Sequence, residues 1–222
     1  MEGVGDVVDG RYRLGRRLGD GVFQAEDLSL ARAVVVRVSG PEGAADLARL
    51  TTVLRSLQFA TSHVVPVLDE GMTGGGGRYV VSAFVEGTPV SRLVAPGGRP
   101  IAADTAAAIG DDLLEAAEAA GRAVPEGAGA VPAAAILDRD REVRVTRFIL
   151  DGASDAAACR AVAELLHHLL TGREPEAGES VRARGYPVPD PLADVVDAAL
   201  AGELRTPTEM RRRLAAARRR IG

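Results

Sequence analysis

Two adjacent histidines (His167 and His168), a lone cysteine (Cys159), a glycine turn and an arginine-rich C-terminal stretch are residues whose types could do chemistry. Histidine can shuttle protons near neutrality or ligate a metal, and a thiolate can attack an electrophile. The surroundings favour plainer roles. The histidines fall within Asp155 to Leu170, a segment of helical spacing with no other histidine near in sequence, so partly buried packing outweighs metal ligation. Cys159 lies on the same segment and reads as a small buried apolar residue. Gly19 and Gly21 flank Asp20, and Asp-Gly suits a two-residue type I′ hairpin turn, which needs positive φ at both central positions. Arg211, Arg212, Arg213, Arg218, Arg219 and Arg220 interleave with Met210, Leu214, Ala217 and Ile221 at helical spacing. Such a basic face is either solvated or set against an anionic membrane surface or an acidic partner.

Missing residues narrow the chemistry further. All 27 basic residues are arginines, so the chain has no lysine, and it has neither asparagine nor tryptophan. Any mechanism that needs a lysine amine or an asparagine amide is excluded. The net charge of −4 and an aromatic fraction of 3% argue against nucleic acid as a partner. One cysteine allows no intramolecular disulfide, which suits a reducing, cytoplasmic setting. No apolar run reaches the length of a membrane span, and the opening MEGVGDVVDG is acidic, unlike a signal peptide. Abundant Ala, Arg, Gly and Val without Lys or Asn also points to a GC-rich genome.

The elements that must position these residues change character along the chain. The β-branched run Ala33 to Val38 predicts a buried strand, and Tyr79 to Val85 and Val64 to Leu68 predict two more. Leu47, Leu50, Leu54 and Leu57 give Asp46 to Phe59 one apolar helical face. Gly74 to Gly77 reads as a hairpin tip between strands. After Glu86 the pattern turns helical: Ala103 to Ala120 ending at Gly121, Asp155 to Leu170 closed by Gly172, a helix capped by Asp190 and begun by Pro191, and Met210 to Ile221. A small β pair, Ile136 to Leu137 with Glu142 to Phe148, separates the first two helices.

This order, with the segments RYRLGRRLG, AVVVRV, HVVPVLDEG, YVVSAFVEG, PAAAILDRDREVRVT and ELLHHLLTGREP, resembles the bacterial Ser/Thr protein kinase domain of an actinobacterial type. The resemblance implies an α+β, protein-kinase-like two-lobe fold: a β-rich N-lobe with one helix over residues 1–86 and a mostly helical C-lobe over 87–222. It also shows what is lost. Only five residues stand between Gly19 and Ala25, so the loop that covers nucleotide phosphates in the family is reduced to a tight hairpin. Arg37 occupies the place of the nucleotide-anchoring lysine, and Leu50 or Thr51 that of its glutamate partner. The catalytic His-Arg-Asp falls on Gly127, Ala128 and Gly129, with Glu126 the nearest carboxylate and more naturally a solvated loop residue. The metal-binding asparagine falls on Ala134, and Asp-Phe-Gly on Arg147, Phe148 and Ile149. Mg²⁺ wants oxygen ligands, and bound ATP normally shares it with one or two carboxylates. About a dozen residues between Phe148 and the core of the next helix leave no room for the family's activation segment.

The resemblance therefore implies a pseudokinase that works as a protein-binding or regulatory scaffold. The alternatives are an atypical nucleotide-binding phosphotransferase with relocated residues, or an accessory protein that presents a surface. No cofactor is expected. Arg37 and Arg147, near Ala83 and Val85 of the segment that borders adenine in the family, could hold ATP or ADP without metal, or could instead fill a closed cleft. Partners implied by related proteins are an active Ser/Thr kinase or a forkhead-associated domain. Peripheral membrane contact through the C-terminal arginines is the further option.

Overall fold

The computed structural model describes residues 2–123, 130–183 and 186–221. The chain divides into two compact units, one of residues up to 60 together with 65–85, the other of 61–64 together with the chain from 86 onward. The first is β-rich with one helix and the second mostly helical, an α+β architecture. The four residues 61–64 thus leave the first unit between its helix and its next strand, and then the chain returns.

The first unit is a six-stranded antiparallel sheet. Its order is β1 (Val7–Val8), β2 (Tyr12–Gly19), β3 (Val22–Asp27), β4 (Arg32–Ser39), β6 (Arg78–Ala83), β5 (Val67–Met72). Period-two alternation along β4 sends Val34 and Val36 into the core with Tyr12, Leu14, Phe23, Ala25, Tyr79 and Val81. Val35 and Arg37 take the opposite face. Helix α1 (Ala44–Leu57) packs on β5 and β6 through Leu47, Val53, Leu54 and Leu57. β1 carries too few residues to announce itself in the sequence; pairing with β2 creates it.

The β2–β3 turn differs from the type I′ expectation. Gly21 has φ of 61°, but Asp20 lies outside the positive-φ region. Val38 N–H donates to Gly21 O at 2.7 Å. A Cβ on Gly21 would stand 2.4 Å from Val38 O, so β4 leaves room for glycine alone there.

Among its described residues the second unit has a three-stranded antiparallel sheet, β7 (Gly87–Pro89), β8 (Val131–Asp138) and β9 (Val143–Ile149), and four α-helices. These are α2 (Ala103–Ala123), α3 (Asp155–Thr171), α4 (Asp190–Leu200) and α5 (Pro207–Ile221). Helix α2 packs on α3 and α5 through a stripe of Ala106, Ala107, Gly110, Ala116, Ala117 and Ala120, small side chains that admit close neighbours. Leu166 of α3 lies so near Gly110 that an added Cβ would meet its Cδ1 at 3.0 Å.

Two helix ends depart from expectation. Gly121 does not stop α2, which continues through it to Ala123 with Gly121 outside the left-handed region. Asp190 is the first helical residue of α4 rather than its cap, and Pro189 stands before it without a side-chain bond. Helix α3 ends as expected, with Gly172 at φ of 74° and its N–H bonded to His168 O. Its start carries a cap the sequence reading passed over: Ser154 accepts from Ala157 N–H at 3.1 Å. The strand expected over Val64 to Leu68 begins only at Val67, because Val64 instead makes a parallel bridge to Val145 of the second unit.

Candidate functional site

Arg37 sits on β4 between Val22 of β3 and Val80 of β6, half-buried and engaged by a partner. Leu50 is half-buried on α1, and the neighbouring Thr51 is buried with its hydroxyl donating to Leu47 O at 2.6 Å. That hydroxyl satisfies its own helix backbone, leaving no acidic group at this point of α1. Ala83 pairs with Val34 at the end of β6, and Val85 is the last residue of the first unit.

In the second unit, β8 and β9 bring two of the singled-out residues face to face. Ala134 is the cross-strand partner of Arg147, with register shifts on both sides of Ala134. Pro132 stands opposite Phe148, and Ala135 opposite Val145. The irregularity breaks the alternation of β9: Val143 and Val145 are buried, Arg147 is exposed, and Phe148 is buried. No described residue bonds to the Arg147 guanidinium. Gly127, Ala128, Gly129 and Glu126 lie outside the described residues. Between the end of β9 at Ile149 and the start of α3 at Asp155 the chain has only residues 150–154, and Ser154 of these caps the helix.

Beneath β8 lies a pocket of about 220 Å³. Ala133, Ala134 and Ala135 form one wall, Val90 and Leu113 another, and Leu165 of α3 a third, with no charged side chain in its lining.

The single histidine at position 63 was passed over in the sequence, yet it is the hub of a polar cluster. Its Nδ1–H donates to Val143 O at 3.1 Å, and its backbone carbonyl accepts from Val145 N–H at 2.7 Å. Nε2 lies 3.8 Å from Asp112 and 3.9 Å from Glu115 on α2. Thr61 donates to Glu115 at 3.2 Å, and Arg144 donates to Ser62 O. Burial pushes the Asp112 carboxyl above its usual range, against the lowering effects of His63 and of the Val143 N–H. The signal available in the sequence was the acidic spacing Asp111, Asp112, Glu115 and Glu118, one face of a helix in need of cations. Among the described residues, no three His, Cys, Asp or Glu side chains cluster so as to hold a metal ion.

His167 and His168 are buried, and each places one ring nitrogen on a backbone carbonyl, while Nδ1 of His168 has no hydrogen-bond partner among the described residues. His167 Nδ1–H donates to Arg173 O and His168 Nε2–H to Val94 O, each at 3.0 Å. They pack, as the sequence suggested. Burial, and then Asp155, pushes the Cys159 thiol up to about 12, so no thiolate is available there near neutrality.

The arginine face of α5 is not uniformly open, contrary to the expectation for all six residues. Arg211 bonds three carboxylates of α2: Asp111 at 3.1 Å, Glu115 at 2.7 Å and Glu118 at 3.3 Å. Arg218 bonds Asp104 at 3.0 Å, and Arg213 bonds Glu209 one turn before it at 2.9 Å. The acidic face of α2 takes Arg211 and Arg218, whereas Arg213 pairs within α5. Arg212, Arg219 and Arg220 stay exposed without an ion pair among the described residues.

No helix is long and apolar enough to cross a membrane among the described residues. No protein-family model matches the chain, and no curated protein matches it by sequence. Solved structures do share its fold. The kinase domain of Mycobacterium tuberculosis PknI superposes with a TM-score of 0.72 at 19% identity, over 98% of this chain and 100% of that one. A variant of the same domain gives 0.72 at 19% identity over 100% of both chains, and a double variant 0.71 at 18% identity over 98% and 99%. At this identity the similarity establishes the fold, which is protein-kinase-like, with a β-rich N-lobe and a helical C-lobe.

Proposed function

We propose that this kinase-like chain does not transfer phosphate and acts as a protein-binding or regulatory module. The observation that carries the reading is the pairing of Ala134 with Arg147. In the family resemblance these two positions hold the asparagine and aspartate oxygens that bind Mg²⁺. Here a methyl group faces a guanidinium. Neither offers an oxygen, and the cation would repel a metal ion brought to it.

Three further features support it. Arg37 replaces the anchoring lysine and Leu50 its glutamate, so the ion pair that aligns nucleotide in an active kinase has no counterpart on β4 and α1. The stretch 150–154 joins β9 to α3 directly, leaving no platform for a peptide substrate. Glycine at position 21 serves a tight hairpin rather than a phosphate-covering loop. A module of this kind would engage an active Ser/Thr kinase or a phosphothreonine reader such as a forkhead-associated domain in the cytoplasm.

Thermal unfolding with ATP or ADP, each with Mg²⁺ or with chelator, tests this reading. A ligand that binds only the folded state raises the midpoint according to its occupancy. The expected result is no Mg²⁺-dependent rise. A midpoint that climbs only when ATP and Mg²⁺ are present together refutes the lost metal site and favours the atypical phosphotransferase.

A further inference from the structure

We propose that the pocket beneath β8 binds a small aromatic carboxylate, its ring among the apolar walls and its carboxylate on Arg147. This inference concerns the second unit alone and stands whether or not the chain transfers phosphate.

Size sets the ring. An apolar cavity of about 150 Å³ suffices to hold benzene in an engineered protein. The present pocket, of about 220 Å³, therefore has room for one substituted ring and too little for a purine with its ribose. Chemistry sets the body of the ligand. Val90, Leu113, Val162 and Leu165 supply aliphatic surface, and alanines along β8 create the hollow by filling so little of it. Removing a ring from water against such walls is favourable in proportion to the area covered.

Charge sets the head group. Ala134 is part of the wall and Arg147 is its direct partner across the β8–β9 pair. Arg147 is outside the lining itself, but it and Ala134 are both exposed at this pair, so the two side chains share the solvent-facing side of the strands. The long arginine side chain thus starts one residue's width from the pocket. It is exposed and has no bonding partner among the described residues, while no aspartate or glutamate lines the pocket to compete for it. A guanidinium presents paired N–H groups that match the two oxygens of a carboxylate. Ser91, also in the lining, adds a hydroxyl beside the apolar walls.

The test is isothermal titration of the full chain with phenylacetate, phenylacetamide, acetate and phenyl phosphate as probes. Saturable binding of phenylacetate is expected, with phenylacetamide and acetate each at least tenfold weaker. Arg147→Gln, at an exposed position that leaves folding intact, should weaken phenylacetate at least tenfold and leave phenylacetamide unchanged. Ala134→Leu, also exposed, should fill the hollow and abolish binding of both. No saturable binding of phenylacetate overturns the proposal. So does equal binding by the Arg147→Gln variant, or acetate binding as tightly as phenylacetate. Phenyl phosphate binding more tightly than phenylacetate overturns the carboxylate assignment.

Discussion

Ala134 and Arg147 face each other across β8 and β9, at a point where register shifts in β8 interrupt the ladder on both sides. The same irregularity turns the Arg147 side chain outward while Phe148 beside it is buried. Position 147 is therefore free of packing duties. An exposed substitution with no lost partner changes stability by about 0.5 kcal/mol or less. Arg147→Asp should leave the denaturant midpoint nearly unmoved, as urea unfolding followed by circular dichroism would read. A loss above about 2 kcal/mol would mean that the guanidinium holds the strand pair together, and that its placement serves folding.

The hairpin at Asp20-Gly21 makes a second prediction. Gly21 combines positive φ with a carbonyl of β4 at 2.4 Å from where a Cβ would lie. Gly21→Ala should cost about 1–3 kcal/mol in unfolding free energy, since the native backbone disfavours a side chain. Gly74→Ala serves as the control, for nothing lies within 4 Å of its added Cβ. Equal effects at the two positions would remove the steric argument.

Arg211 predicts a salt- and acid-sensitive joint between α2 and α5. It serves Asp111, Glu115 and Glu118 at once while remaining partly solvated, between the limits of surface and buried ion pairs. Arg211→Met should therefore destabilise by about 1–3 kcal/mol at low salt. Burial alone would raise the Glu118 carboxyl, but Arg122 and Arg211 outweigh it and hold it below its usual range. A depressed folded-state pKa gives stability that is present above the unfolded carboxylate value and is lost as pH falls through the folded one. The variant should accordingly show a shallower loss of stability on acidification. An unchanged acid slope would contradict the clamp.

Asp112 titrates with the opposite sign. Burial raises its carboxyl, partly offset by His63 and by the Val143 N–H, so the folded chain holds this proton more tightly than the unfolded chain. Its contribution favours folding at low pH and is lost as pH rises through the raised value. Asp112→Asn should become progressively less destabilising, or more stabilising, relative to the parent between roughly pH 3 and 6. Paired urea titrations across that window read the difference directly. A trend in the reverse direction would show that the His63 contact dominates the site.

Much of this was legible in the sequence because it depends on local pattern. The run at β4 announced a strand, the 3–4 spacing of α3 announced a helix, and Gly172 announced its end. The expectation for positions 37, 50, 134 and 147 rests on the order of the segments that resemble the kinase pattern. What could not be read depends on contacts distant in sequence. His63 meets Asp112 and Glu115 only after α2 is laid beside the 61–64 excursion. Arg211 finds its three acids about a hundred positions away. Its sequence surroundings, an alternation of arginine with apolar residues, describe a solvated face equally well. The pocket arises from the absence of bulk at Ala133 to Ala135, which looks in sequence like unremarkable strand composition.

The central claim, that no phosphoryl transfer occurs, is most directly tested with γ-labelled ATP. The purified full chain would be incubated with Mg²⁺ or Mn²⁺, alone and with a generic basic protein acceptor. The account predicts label in neither protein and ATP consumption equal to the blank without protein. Metal-dependent incorporation that follows the folded chain through purification and disappears on its thermal unfolding would contradict it.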